Sequence, residues 1–168
     1  MPADQPAFHV IFVCMGNICR SPMAAAVLQA QLEREGLHHV QVSSAGTGGW
    51  HVGDPADRRA RAALQHRGYA TDHEARQFQG EWFNDYHLVI AMDRDNEREL
   101  RRMAKTSAHA DTIRLMLEFD PDAESLDVPD PYYGSADEFD TVLTQLEGAC
   151  SGLVSHLQAT DGQTSLLA

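Results

Sequence analysis

The sequence predicts a single α/β domain, a four-stranded parallel sheet with helices on both faces. Two observations carry this. Short apolar runs recur as continuous stretches, the pattern of strands buried on both faces. Amphipathic helical segments alternate with them, which makes the sheet parallel. Phe8–Val13 is the first such run. Ser21–Gly36 reads as the first helix, with Ser21 as N-cap, Pro22 at the first helical position and Gly36 as the stop. Val40–Ser43 is the second strand, followed by a loop, Ser44–Gly53, that holds four glycines and Trp50. Asp54, Pro55 and Asp57 open a helix that Gly68 ends. His87–Met92 is the third strand. Asp93 starts a helix with acids in its first turn and Arg98, Arg101, Arg102 and Lys105 near its end, an order that suits the helix dipole. Thr112–Leu117 is the fourth strand and Asp120–Gly134 a loop rich in proline. The last helix runs from about Ala136 to Leu157 on a stripe from Phe139 to Leu157, with Cys150 in its core face. The domain spans 8–158, between a flexible N-terminus, 1–7, and a frayed tail, 159–168.

Composition narrows the function. Of 168 residues, 43% are hydrophobic and 23% charged, as in a globular domain. The net charge of −12 gives no electrostatic footprint for nucleic acid, so any anion must be bound by a local, preorganised cradle. No apolar run approaches the roughly 20 residues of a membrane span. Met1–Pro6 holds no basic residue and does not read as a secretory signal, and three cysteines are too few for a disulfide scaffold. The expected setting is cytoplasmic, with export lacking a signal peptide left open, and the expected state is a monomer.

In a parallel sheet, ligands lie beyond the carboxyl ends of the strands. There the loop Cys14-Met15-Gly16-Asn17-Ile18-Cys19-Arg20-Ser21 enters a helix N-terminus. Backbone amides from Met15 to Ser21 and the positive dipole end suit a phosphate-sized anion. Gly16 and Asn17 tolerate the positive φ that such a ring requires. Arg20 adds a planar fork for two oxygens. Cys14 ends the strand at the bottom of this cradle, where the thiolate is favoured, and the Ser21 hydroxyl can donate to it. The pattern is a nucleophile inside a phosphate-binding loop.

These residues resemble the signature of the low-molecular-weight protein tyrosine phosphatases, from Val13 to Ala24. The similarity continues in Ser43–Thr47 with Trp50, in His73–Gln77, in Ala91–Asp93 and in Asp127–Gly134, and so covers nearly the whole chain. It implies a phosphocysteine mechanism without metal or cofactor. Cys14 attacks phosphorus, Asp130 protonates the departing phenol, and Asp130 then acts as base for the hydrolytic water. Arg20 and the loop amides hold the oxygens. Pro129 and Pro131 would stiffen the backbone around Asp130; Asp127 is its nearest competitor. The resemblance places Trp50 and Tyr132 as walls around a phosphotyrosine ring, with Tyr133 beside them and His51 on the same loop as Trp50. The resemblance further implies a hydrogen-bond network of Asn17, Ser44 and His73 behind the loop, while Asp93 either buttresses that loop or simply caps its helix.

The implied partner is a tyrosine-phosphorylated protein. A tyrosine kinase acting on Tyr132 or Tyr133 could regulate the site, because phosphate there would stand beside an anion cradle. Cys19, five residues after Cys14 across the loop, is the expected disulfide partner of Cys14 under peroxide. Two other readings are an arsenate-reductase-like redox enzyme and a non-catalytic phosphotyrosine-binding module. The first lacks additional cysteines between Cys19 and Cys150; the second would lack the nucleophile or the acid, and Cys14, Arg20 and Asp130 are all present.

Overall fold

The computed structural model describes the backbone of 5–167 and the side chains of 5–160; the remainder of the 1–7 and 159–168 segments lies outside the described residues. Four strands, β1 (Phe8–Cys14), β2 (Val40–Gly46), β3 (Leu88–Ala91) and β4 (Ile113–Leu115), form one parallel sheet in the order β2-β1-β3-β4. Alternate β1 residues serve opposite faces. Val10, Phe12 and Cys14 pack with α1 (Arg20–Glu35), α2 (Arg58–His66) and α5 (Ala136–Leu167). Ile11 and Val13 face a second cluster that includes Phe78, Phe83 and Leu100 of α3 (Arg94–Met103). The fold class is the one the sequence predicts.

The chain leaves β1 toward β2 on one side and returns to β3 on the other. The crevice between the carboxyl ends of β1 and β3 is therefore a switch point, where α/β sheets bind ligands.

Several boundaries differ from expectation. α1 begins at Arg20, with Cys19 as N-cap and no side-chain cap bond. Ser21 lies inside the first turn because the loop itself curls into the helix, and its hydroxyl turns to Cys14. Gly36 closes α1 in the left-handed conformation, φ 71°. β2 extends three residues past Ser43 because the 76–78 segment pairs beside its end: Gly46 N donates to Arg76 O and Phe78 N to Gly46 O. β4 is shortened to Ile113–Leu115, its expected end forming a 3-10 turn, Met116–Phe119. α5 continues past Leu157 to Leu167, a stretch without proline. A 3-10 turn at Gly80–Asn84 and the short helix α4 (Ser107–Asp111) were not evident from periodicity.

Candidate active site

The loop between β1 and α1 is turned inside out by its carbonyls. Cys14 O accepts from Thr47 N, Met15 O from Gly48 N, Ile18 O from Asp57 N and Cys19 O from Met23 N. Asn17 O accepts from His73 Nε2 at 2.6 Å. A planar trans peptide points its N–H opposite its C=O. The amides of Met15, Gly16, Ile18, Cys19 and Arg20 therefore face away from these donors, into the crevice.

Asn17 is the one described non-glycine residue with positive φ, at 59°. Fully buried, it is held from three sides. Its Nδ2 donates to Ser21 Oγ at 2.8 Å and to Ser44 Oγ at 3.0 Å, and its Oδ1 accepts from Arg76 N at 2.9 Å. Gly16, expected to share the positive φ, does not. A Cβ there would stand 3.1 Å from His51 Cδ2, so the His51 ring would have to give by a few tenths of an ångström. Gly46 has a role the sequence reading missed: a Cβ would lie 2.7 Å from Met15 O, so the loop can rest on the end of β2 only at a glycine.

The half-buried His73 ring donates Nε2–H to Asn17 O, which fixes its neutral tautomer. Burial, reinforced by Arg76, holds its pKa below the ordinary histidine value against the pull of the Asn17 carbonyl.

Cys14 is 3% exposed at the base of a cavity of about 290 Å³. Its Sγ lies 3.0 Å from Ser21 Oγ. Asn17 donates to that oxygen, so the single Ser21 hydrogen can go to either of two acceptors, the sulfur or Ala45 O at the longer distance of 3.4 Å.

Arg20 is 2% exposed and divides its guanidinium in two. Nη1 donates to Asp93 Oδ2 at 2.6 Å and to Val128 O at 2.9 Å. Nε has no hydrogen-bond partner among the described residues, and Nη2 is 3.6 Å from Asp130 Oδ2, beyond hydrogen-bond range. Nη2 keeps the ion pair with Asp130 but no hydrogen bond, so the Nε–Nη2 edge has two donors not hydrogen-bonded among the described residues, the geometry that grips two oxygens of a tetrahedral anion. Burial lowers the pKa of Arg20, but Cys14, the Asp93 bond and charge, and Asp130 together raise it, so the charge is permanent. Asp93 uses both oxygens: Oδ2 accepts from Arg20, while Oδ1 accepts from Asn96 N at 2.8 Å as the N-cap of α3.

Asp130 stands at the rim, its side chain 32% exposed, with Oδ1 accepting from Tyr132 N at 3.1 Å. Asp127 points elsewhere. Arg94 holds it by side chain and backbone, which depresses its pKa. Trp50 is 74% exposed, with its ring against Gly48, so it is no part of the core. Trp50, His51, Tyr132, Tyr133, Met15 and Ile18 line the cavity. Tyr133 is 92% exposed and Tyr132 37%.

All three cysteines are buried free thiols. Burial, with Asp57, Cys14 and Asp130, pushes the Cys19 thiol well up. Cys150, in the core of α5, is raised by burial as well. Among the described residues no cluster of three or more His, Cys, Asp or Glu could hold a metal ion, and no helix is long and apolar enough to cross a membrane.

The low molecular weight phosphotyrosine protein phosphatase family matches residues 9–163. A low molecular weight protein-tyrosine-phosphatase of Streptomyces coelicolor is 51% identical over 154 residues, covering 90% of this chain and 94% of that protein. A protein tyrosine phosphatase of Entamoeba histolytica, solved with Hepes in its active site, superposes with a TM-score of 0.89 at 35% identity, covering 92% of this chain and 99% of that one. YwlE, an arginine phosphatase of Bacillus subtilis solved as a cysteine-to-serine mutant with a phosphorylated active-site serine, gives 0.79 at 30% identity, covering 90% and 96%. The chain belongs to the low molecular weight phosphotyrosine protein phosphatase family and is, accordingly, a hydrolase of the protein-tyrosine phosphatase class.

Proposed function

We propose that this phosphatase hydrolyses phosphotyrosine in protein substrates through a phosphocysteine on Cys14. The observation that carries this is the Nε–Nη2 edge of Arg20, free of hydrogen bonds among the described residues, in the cavity that Cys14 and Asp130 also line. Inward amides and Arg20 bind three phosphate oxygens. Cys14 Sγ attacks phosphorus opposite the ester oxygen, the P–O bond breaks, and Asp130 delivers its proton to the leaving phenol. Water, deprotonated by Asp130, then attacks phosphorus. The S–P bond breaks, and the thiolate is received by the Ser21 hydroxyl 3.0 Å away. The phosphorylated serine in the YwlE mutant supports a covalent adduct at the nucleophile's position.

The same relative is an arginine phosphatase, which makes phosphoarginine the second reading. The faces of Trp50 and Tyr132 can stack on an aryl ester or on a guanidinium, and it is the apolar Met15 and Ile18 that favour the uncharged aryl ring. The test is kcat/KM on matched peptides bearing phosphotyrosine, phosphoserine or phosphoarginine, with Cys14→Ser as the blank. Phosphotyrosine is expected to lead, and Trp50→Ala to shrink its lead over phosphoserine. Phosphoarginine turned over fastest would replace this reading.

Two regulatory roles belong to the same proposal. Peroxide converts Cys14 to a sulfenic acid, which condenses with the Cys19 thiol to a disulfide and water. The raised pKa of Cys19 makes that condensation slow. A tyrosine kinase reaches Tyr133, at 92% exposure, more readily than Tyr132.

A further inference from the structure

Arg59 lies in the first turn of α2, where a positive charge opposes the helix dipole. Asp57, the N-cap, neutralises it. Asp57 Oδ1 accepts from Arg59 N at 2.8 Å and from Nε at 3.1 Å, and Oδ2 accepts from Nη2 at 3.0 Å. One carboxylate therefore starts the helix and sets the plane of the guanidinium.

The rest of the fork reaches a segment more than seventy residues away. Nη1 donates to Gly134 O and Nη2 to Tyr132 O, both at 2.7 Å. The cation lies 4.5 Å from the ring centroid of Phe139, a fully buried residue of α5, and 5.9 Å from that of Tyr132. Tyr132 is also the residue whose amide bonds Asp130 Oδ1. Upstream, the segment is fixed at Val128, whose N donates to Met92 O and whose O accepts from Arg20. Asp130 thus stands between two anchored points, one at Arg20 and one at Arg59.

We propose that Arg59, aimed by Asp57, is a positioning residue for the reaction: by clamping the carbonyls of Tyr132 and Gly134 it holds the Asp130 carboxyl and the Tyr132 wall over the cavity. This rests on Asp130 being the general acid. Lysine cannot substitute, because a single ammonium lacks the planar fork that spans two carbonyls and a carboxylate.

The experiment is a leaving-group series of aryl phosphates with wild type, Arg59→Met, Arg59→Lys, Asp57→Asn and Asp130→Asn, alongside vanadate binding. Asparagine caps helices as well as aspartate does, so Asp57→Asn keeps α2 while removing the charge that aims Arg59. The expected result for Arg59→Met and Asp57→Asn, read as kcat/KM because that ratio reports only the steps through phenol release, is a loss of roughly 10–100-fold on poor leaving groups and a much smaller loss on activated ones. Arg59→Lys stays impaired, and vanadate affinity remains within about twofold of wild type. A merely structural role would lower all substrates and vanadate binding together. If Asp130→Asn shows the steep dependence while the Arg59 and Asp57 variants keep the wild-type slope, the positioning role is overturned and the acid assignment stands. A flat series for Asp130→Asn overturns both.

Discussion

Arg20 and Asp93 meet at 2.6 Å, and the same carboxylate caps α3 through its other oxygen. The anion cradle is thereby tied to the helix that follows β3. Asp93→Asn keeps one acceptor oxygen for the Asn96 cap and turns an amide donor toward Arg20 Nη1, losing the charge and that bond. It should weaken vanadate binding by about tenfold, near 1.4 kcal/mol, and cost about 1–3 kcal/mol in stability for the Arg20 donor left unpaired. Asp93→Ala should add a loss of about 1 kcal/mol in unfolding free energy. Equal stability losses in both variants would show that the cap and the ion pair are not separable.

Asn17→Ala places a Cβ-bearing residue without compensating bonds at φ 59° and leaves Ser44, Ser21 and the Arg76 amide short of a partner. A destabilisation of about 2–4 kcal/mol is expected by urea denaturation. Asn17→Gly should recover the backbone part alone. If both variants lie within about 0.5 kcal/mol of wild type, the loop does not depend on Asn17.

The lowered pKa of His73 gives stability a pH dependence with a definite sign. The unfolded chain takes up the proton first, near the ordinary value of about 6.5. Stability conferred by the neutral ring is complete above that pH and falls as pH drops through the lower folded value. His87 and His156 are also lowered by burial, so the comparison must be differential. His73→Gln should flatten the slope of unfolding free energy against pH below about 6.5. Identical slopes would remove His73 as the source.

Asp127 and Asp130 are three residues apart and have separate surroundings. Asp127→Asn, which loosens an exposed pair with Arg94, should leave kcat within about twofold. Asp130→Asn should lower it by roughly 10²–10⁴-fold on an unactivated aryl phosphate. The reverse order would move the acid to Asp127.

The β1–loop–α1 unit was legible because its information is local: a buried apolar run, a short loop with glycine and arginine, then a helical stripe. The buried α5 stripe was legible for the same reason. The start of α1 was misplaced because Ser-Pro is a normal cap signal, whereas here the curl of the loop supplies the first turn. Arg59 carried a hint, a basic pair in a helix first turn, but its partners Tyr132 and Gly134 are brought near only by the packing of α2 on α5. Gly46 read as loop composition. Its purpose, a close approach to Met15 O, exists only once β2 pairs with β1.

The most direct test is chemical. Asp130→Asn, mixed rapidly with an aryl phosphate bearing an activated leaving group, lacks the base for the second step. After acid quench, mass spectrometry should find a phosphate adduct on the peptide carrying Cys14, with phenol released ahead of inorganic phosphate. Simultaneous release of phenol and phosphate, with Cys14 unmodified, would contradict a phosphocysteine pathway.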